Sequence, residues 1–272
     1  MISVVIPTIG EKILHKVIHR LLQGTTMPNE IVLVFPEEYK NKASEYQNYK
    51  NTKIVISMIK GQVAQRILGF KIAHYEYVLQ LDSDILVNKK TLSLLLEQYD
   101  SNKNMCLSPK IINKDFLKSN NYNNYKKKYA GKITLWGSSI WFGKNNQPKN
   151  NIEVEWLQGG CVLHIKKNLI LENYYPYKGK AYGEDVIQSC ILKNEKKIKL
   201  IYCPTIKVIE IACSQNIHNF NLKSVLEFIK NNYLSKKKII KINNGSYSMF
   251  YIWFILFILK RMKIFIIRKL IK

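Results

Sequence analysis

The chain has 272 residues, enough to bury a sizeable core, and fits one large domain or one domain with an appendage. Lys and Arg outnumber Asp and Glu by 43 to 19, a formal charge of +24, which points to polyanionic partners: phosphorylated substrates, nucleic acid or an anionic membrane surface. The cysteines (Cys106, Cys161, Cys190, Cys203 and Cys213) form no C-x-x-C pair and are odd in number, which speaks for buried reduced thiols in a cytosolic protein and against a cysteine metal site; no signal peptide is expected, since Met1 leads straight into a strand-like run.

Ile2-Ser3-Val4-Val5-Ile6 is a buried-strand pattern stopped by Pro7. Thr8-Ile9-Gly10-Glu11 forms a turn, and Ile13, Leu14, Val17, Ile18, Leu21 and Leu22 then recur at helical spacing until Gly24 and Pro28. Ile31 to Phe35 is a second buried strand, stopped by Pro36. A polar excursion from Glu37 to Lys53 precedes a third strand, Ile54-Val55-Ile56, and a helix from Gln62 to about His74. The next strand starts at Tyr77-Val78-Leu79-Gln80-Leu81 and runs into Asp82-Ser83-Asp84. Strands alternating with helices imply right-handed β-α-β units and a mostly parallel, Rossmann-like sheet flanked by helices.

Side chains alternate along a strand, so Asp82 and Asp84 are expected to point the same way at its carboxyl end, where open α/β sheets bind ligands. Two carboxylates held together there repel each other unless a cation sits between them. Hard oxygen ligands suit Mg²⁺ or Mn²⁺ shared with a substrate phosphate. A solvated Asp-Ser-Asp turn is the plainer alternative.

Residues from Asn113 to Lys132 are dense in Asn, Lys and Tyr and suggest a polar loop, whereas Ile133 to Gly143 reads as strands. Val154-Glu155-Trp156-Leu157 leads to the Gly159-Gly160 pair and then to Cys161-Val162-Leu163-His164-Ile165. The glycine pair is either a turn or a place of close approach by a ligand, and Trp156 is either a stacking platform for a sugar or a core residue. After a loop from Pro176 to Gly183, Glu184 and Asp185 open a helix whose periodicity continues to Leu192; acids in a first helical turn are ordinary in any case. Thr205 to Ile211 is the last strand-like run, and a helix over Leu222 to Leu234 follows.

The run V-V-I-P-T, the segment Gly61 to Phe70 (G-Q-V-A-Q-R-I-L-G-F), L-D-S-D, W-L-Q-G-G-C (Trp156 to Cys161) and G-E-D-V (Gly183 to Val186) together resemble family-2 glycosyltransferases of the GT-A fold, over roughly residues 1 to 210. The resemblance implies inverting transfer of a sugar from a nucleotide-sugar donor to a glycan or lipid-linked acceptor, with a divalent metal (Mg²⁺ or Mn²⁺). It implies that Asp84 ligates the metal and that Asp82 reaches the ribose or the metal through water. Pro7, Thr8 and Glu11 would line the nucleotide pocket, with Arg66 bracing a phosphate or else lying exposed on its helix. Asp185 would be the general base and Glu184 would orient the acceptor, with Trp156, Gly159 and Gly160 on the acceptor side. His218 is a candidate metal ligand, or a solvated loop histidine. Two departures stand out: Phe35-Pro36 precede Glu37 and Glu38 where the family often places base-holding acids, and the family's R-N-x-G is Arg66-Ile67-Leu68-Gly69 here. A sugar nucleotidyltransferase and a basic nucleic-acid-binding protein stay open as alternatives, although the lysines are scattered and no nucleic-acid module is visible.

The expected organisation is a catalytic domain over 1–212, divided at 112/113 into a nucleotide-sugar half and an acceptor half, a helical extension over 213–244, and a tail over 245–272. In the tail, Tyr247 to Leu259 is apolar and aromatic but short for a bilayer span, and a basic, apolar stretch follows to Lys272. Such a tail suits the plane of an anionic membrane, placing the protein peripherally on a cytoplasmic face; packing on the catalytic domain or a dimer contact is the alternative.

Overall fold

The computed structural model describes residues 1–100, 104–113, 129–143, 146–177, 181–211 and 222–270, with Lys223 and residues 263–270 described as backbone only. The amino-terminal half follows the expected alternation: β1 (Ile2–Pro7), α1 (Leu14–Leu22), β2 (Glu30–Pro36), short helical turns that include α2 (Lys40–Ala43), β3 (Thr52–Ser57), α3 (Gln62–Ile72) and β4 (Tyr77–Leu81). β1 pairs in parallel with β2 on one side and with β4 on the other, and β2 pairs in parallel with β3. The order of this half is therefore β3-β2-β1-β4.

Both faces of these strands are covered, which is why they read as continuous apolar runs. Val4, Ile6, Leu33, Leu79 and Leu81 pack with Leu14, Val17, Ile18 and Leu21 of α1. Val5, Val32, Val34 and Val78 pack on the other face with Phe70 of α3. Period-two alternation then sends Gln80 of β4 to the α3 face, and it is fully buried there.

Beyond β4 come β5 (Ile85–Leu86), α4 (Thr91–Glu97), β6 (Met105–Asn113), β7 (Ile152–Val154), β8 (Cys161–Ile165), α5 (Glu184–Cys190) and β9 (Lys199–Glu210). β8 inserts antiparallel between β4 and β6, with Leu81 opposite Cys161 and Leu107 opposite Leu163. β6 and β9 run parallel to each other, and β5 closes on β9 through Ile85 and Glu210. The whole is a mixed, mostly parallel sheet with helices on both faces. In the segment expected to hold strands, Ile133 to Gly143, the pairing is one isolated bridge between Ile133 and Ser139.

Two helices end the chain, α6 (Leu222–Ile242) and α7 (Tyr247–Leu270). α6 runs past the expected end at Leu234 and takes in the Lys236-Lys237-Lys238 run. It can do so because Lys236 turns inward: its Nζ donates to the Gly137 carbonyl at 3.1 Å and to Ser138 Oγ at 3.0 Å. Burial lowers its pKa to about 8.

Candidate active site

The site is built where β4 stops. Asp82, Ser83 and Asp84 form a turn in which the Ile85 N–H donates to the Asp82 carbonyl at 3.2 Å, so the acids occupy a loop rather than alternating positions of a strand. The Asp84 carbonyl accepts from the Ile211 N–H at 2.9 Å, which fastens this turn to the end of β9.

Helix α3 supplies the groups that hold Asp82. Gln62, Gln65 and Arg66 lie three and four positions apart, on one face of its first turns. Gln62 Nε2 donates to Asp82 Oδ1 at 2.8 Å. Gln65 Nε2 donates to the carbonyls of Thr8 at 3.1 Å and Val34 at 2.6 Å, tying the helix to the ends of β1 and β2. Arg66 reaches two carboxylates from different parts of the chain: Nη2 donates to Asp82 Oδ1 at 3.3 Å, and Nη1 to Glu184 Oε2 at 2.8 Å. Tyr174 completes the group by donating its hydroxyl to Glu184 Oε2 at 3.1 Å. Burial opposes the charge of the guanidinium, but Glu184, Tyr174 and Asp82 together hold it protonated.

This corrects the expectation for Arg66. Its side chain has no exposed surface, so it is an internal strut and neither a phosphate clamp nor a solvated helix residue. Glu184, itself 7% exposed, is likewise engaged inside the protein rather than presented to an acceptor.

The glycine pair is where the two acidic motifs meet. The Asp82 N–H donates to the Gly160 carbonyl at 2.8 Å, and Gln80 Nε2 donates to the Gly159 carbonyl. Gln188 of α5 in turn donates to Gln80 Oε1 at 2.8 Å. A Cβ on Gly159 would lie 3.1 Å from Asp185 Cβ and 3.3 Å from Glu184 Oε1; one on Gly160 would lie 2.5 Å from Ile85 Cδ1 and 3.4 Å from Asp82 Oδ2. Larger residues would therefore push the two motifs apart. At Gly183, φ of +68° lets the chain turn sharply into α5, which sets Glu184 and Asp185 in its first turn.

Among the described residues neither Asp84 nor Asp185 forms an ion pair, although the Arg66 charge is near enough to Asp185 to favour its ionised form. Burial, then the neighbouring charges of Asp82 and Glu210, raise the pKa of Asp84 to about 7. Burial, then the charge of Glu184, raise that of Asp185 to about 7, although the Val186 N–H donates to its Oδ1 at 2.9 Å. Asp82 is also shifted upward, because burial outweighs the help it receives from Arg66 and Gln62.

Among the described residues no three His, Cys, Asp or Glu side chains are grouped to hold a metal ion. Asp82 Oδ1 is committed to Gln62 and Arg66, which leaves Asp82 Oδ2 and the Asp84 carboxylate as donors. Two hard carboxylate donors, both raised in pKa by burial and then by neighbouring negative charge, fit a small divalent cation that takes its other ligands from a diphosphate. His218 lies outside the described residues. Glu210 was not singled out in the sequence; its position at the end of the last strand-like run was the available signal. It pairs with Ile85 in the sheet and accepts from Asn113 Nδ2 at 2.9 Å.

The other expected residues divide. Pro7 ends β1, and the turn after it is closed by Thr8, whose hydroxyl donates to Glu11 Oε2 at 2.7 Å while accepting from the Gly10 N–H at 3.0 Å. Glu11 adds to the negative field at Asp84, so this turn borders the acids. Trp156 does not offer a stacking face: it is 7% exposed, its Nε1 donates to the Ile140 carbonyl at 3.2 Å, and its ring meets Trp141 edge-on at 4.7 Å. It is a core residue. Gln62, Gln80, Tyr174 and Gln188 were missed, and a glutamine inside the apolar run Val78 to Leu81 was the visible clue to one of them.

The sequence profile of "Glycosyl transferase family 2" matches residues 3–163. The chain belongs to glycosyl transferase family 2. That match includes β1 from Ser3 on, α3, the Asp82–Asp84 turn and the glycine pair, and ends two residues short of the end of β8. No curated protein sequence matches the chain. Among solved structures, GalNAc-T7 crystallised with UDP, GalNAc and Mn²⁺ superposes with a TM-score of 0.63 at 18% identity, covering 93% of this chain and 50% of that one. Residues 1–349 of S. aureus TarS in complex with UDP-GlcNAc superpose with a TM-score of 0.54 at 18% identity, covering 88% of this chain and 66% of that one. The chain thus spans half to two thirds of these relatives, and the likeness establishes the GT-A fold.

Proposed function

We propose that the protein is an inverting, metal-dependent glycosyltransferase that moves a sugar from a nucleotide-sugar donor to a hydroxyl of a glycan or lipid-linked acceptor, in the synthesis of a cell-surface polysaccharide. The observation that carries this reading is the convergence of two acidic motifs on one buried arginine beneath a glycine pair, each motif leaving one carboxylate that, among the described residues, forms no ion pair. The neighbours crystallised with UDP or UDP-GlcNAc make UDP the first nucleotide to test. Family membership favours this reading over the nucleotidyltransferase and nucleic-acid alternatives.

Asp185 takes the proton from the acceptor hydroxyl as that oxygen attacks the anomeric carbon. A carboxylate with a pKa of about 7 suits a base that works near neutral pH, since it holds a proton more strongly than an ordinary aspartate does. Glu184, Arg66 and Tyr174 fix the first turn of α5 and so set the position of Asp185. Asp84 and Asp82 Oδ2 would hold the divalent cation, whose chemistry is to stabilise charge on the departing diphosphate. The turn from Pro7 to Glu11 borders the nucleoside side. The described cysteines Cys106, Cys161, Cys190 and Cys203 are buried free thiols, which supports a reducing, cytoplasmic setting, with the protein peripheral on the cytoplasmic face of a membrane.

The test is a thermal-shift screen of UDP, GDP, TDP and CMP, each with and without Mn²⁺. A ligand that binds only the folded state raises the melting temperature by mass action. The expected result is a nucleotide diphosphate that shifts Tm more with Mn²⁺ than without it. If no nucleotide shifts it under either condition, the donor-site reading fails.

A further inference from the structure

The carboxy-terminal hairpin has one face that nothing among the described residues covers. On α7, Phe250, Trp253, Phe254 and Phe257 turn toward α6: Phe254 lies 5.1 Å from Tyr233 and Phe257 lies 5.8 Å from Phe228, ring centre to ring centre. Two cations are held on this inner side, Lys236 over Trp253 at 4.4 Å and Arg261 over Phe228 at 4.7 Å. The opposite side carries Met249, Ile252, Ile255, Leu256, Leu259 and Met262, which recur at spacings of three and four and so form one stripe along the helix. Ile252 is 64% exposed, Ile255 58%, and Leu256 and Leu259 61% each. A contiguous row of large aliphatic side chains at that exposure marks an interaction surface.

Charge selects among the occupants. From Leu222 to Lys272 the chain has one acid, Glu227, against Lys236, Lys237, Lys238 and Lys241 and a second basic cluster between Lys260 and Lys272. Lys237, Lys241 and Lys260 are exposed, and Lys237 lies over the Tyr233 ring at 5.8 Å. A second copy of so basic a hairpin would bring like charges together, whereas an anionic lipid surface accepts both the apolar stripe and the lysines that flank it. Among the described residues no helix is long and apolar enough to cross a membrane, so this one would lie along it.

We infer that α7 docks flat on an anionic lipid bilayer through Met249, Ile252, Ile255, Leu256, Leu259 and Met262, and that this face presents the active site to a lipid-linked acceptor. The acceptor clause rests on the glycosyltransferase reading; the docking clause stands without it. The hairpin is packed directly on the helix that bears Asp185. Phe228 of α6 meets Tyr182 at 4.6 Å, and Lys238 Nζ donates to the Tyr174 carbonyl at 2.9 Å. The Ser246 N–H donates to the Leu135 carbonyl at 2.8 Å, holding the bend of the hairpin to the domain. One helix, α6, thus separates the lipid-facing stripe from α5, and docking fixes the distance of Asp185 from the bilayer.

The experiment is flotation of the full chain with phosphatidylcholine vesicles, with and without phosphatidylglycerol, beside the variant Ile252→Glu/Leu256→Glu. Both residues are exposed, so the variant should fold, and an unchanged melting temperature checks that it does. The expected result is flotation of the unmodified chain with the anionic vesicles, weakened by high salt, and retention of the variant in the soluble fraction. Equal flotation of the two proteins overturns the inference, as does an unmodified chain that stays soluble. A dimer formed without lipid and lost in the variant also overturns it, by assigning the stripe to a second copy. Nucleotide thermal shifts on the same preparations keep the two readings separate. A protein that binds UDP and Mn²⁺ but no vesicle loses only the docking, and one that floats but binds no nucleotide loses only the glycosyl transfer.

Discussion

The two acidic motifs are assembled alike although they come from different elements. In the turn after β4, Asp82 is tied to Arg66 and Asp84 is not; in the first turn of α5, Glu184 is tied to Arg66 and Asp185 is not. Burial, then neighbouring negative charge, raises the pKa of both Asp84 and Asp185, to about 7 in each case. The difference within each pair is one of task. The tied acid is held in the scaffold, while the untied acid forms no ion pair among the described residues, and on the proposed reading a metal ion or a reacting proton would satisfy it.

Removing the untied acid of the second motif tests this most severely. Asp185→Asn should lower transfer by about 10²–10⁴-fold, the usual cost of losing a general base, while the nucleotide-dependent thermal shift persists. An undiminished rate would mean that another group is the base. Removing the shared strut should act on stability instead. Arg66→Met leaves the buried Glu184 and the half-buried Asp82 without their cation, and urea unfolding should show a loss of about 3–5 kcal/mol. A loss below about 1 kcal/mol, the scale of an exposed pair, would show that the two motifs are not held by this residue.

Asp84→Asn should act on the donor side only. The part of the nucleotide's thermal shift that depends on Mn²⁺ should vanish, and the metal-independent part should remain; retention of the full Mn²⁺ effect would move the metal site elsewhere. The smallest effect expected is one of pH. The folded-state pKa of Asp185 is raised to about 7, above the unfolded value, so its ionisation costs stability as pH climbs from the unfolded toward the folded pKa. Asp185→Asn should therefore melt higher than the unmodified protein at about pH 8, and the two should converge below about pH 3, where the carboxyl is protonated in the folded and the unfolded state alike. A difference independent of pH would show that Asp185 is not held in a desolvated, negative setting. Activity should move the opposite way, rising with pH as Asp185 loses its proton.

Much of this was written locally. β1, β2 and β4 are apolar runs because both faces of the central strands are covered, and that burial needs no distant partner to be read. The two acidic motifs, the glycine pair and the apolar stretch of the tail were likewise visible as strings. What the residues could not disclose was which member of each acidic pair is neutralised. Arg66 lies 16 positions from Asp82 and 118 from Glu184, and only folding brings its guanidinium between them. The same holds for Trp156, whose ring is equally suited to a core and to a sugar face until Ile140 and Trp141 close over it. It holds too for α7, whose sequence is apolar nearly all round through its first turns; packing against α6 alone separates an aromatic inner face from an aliphatic outer one. Residue type and spacing thus determined the elements and the chemistry on offer, because periodicity and side-chain class are local properties. Ion pairing, proton affinity and exposure depend on distances through space, and for this protein the tertiary structure alone decided them.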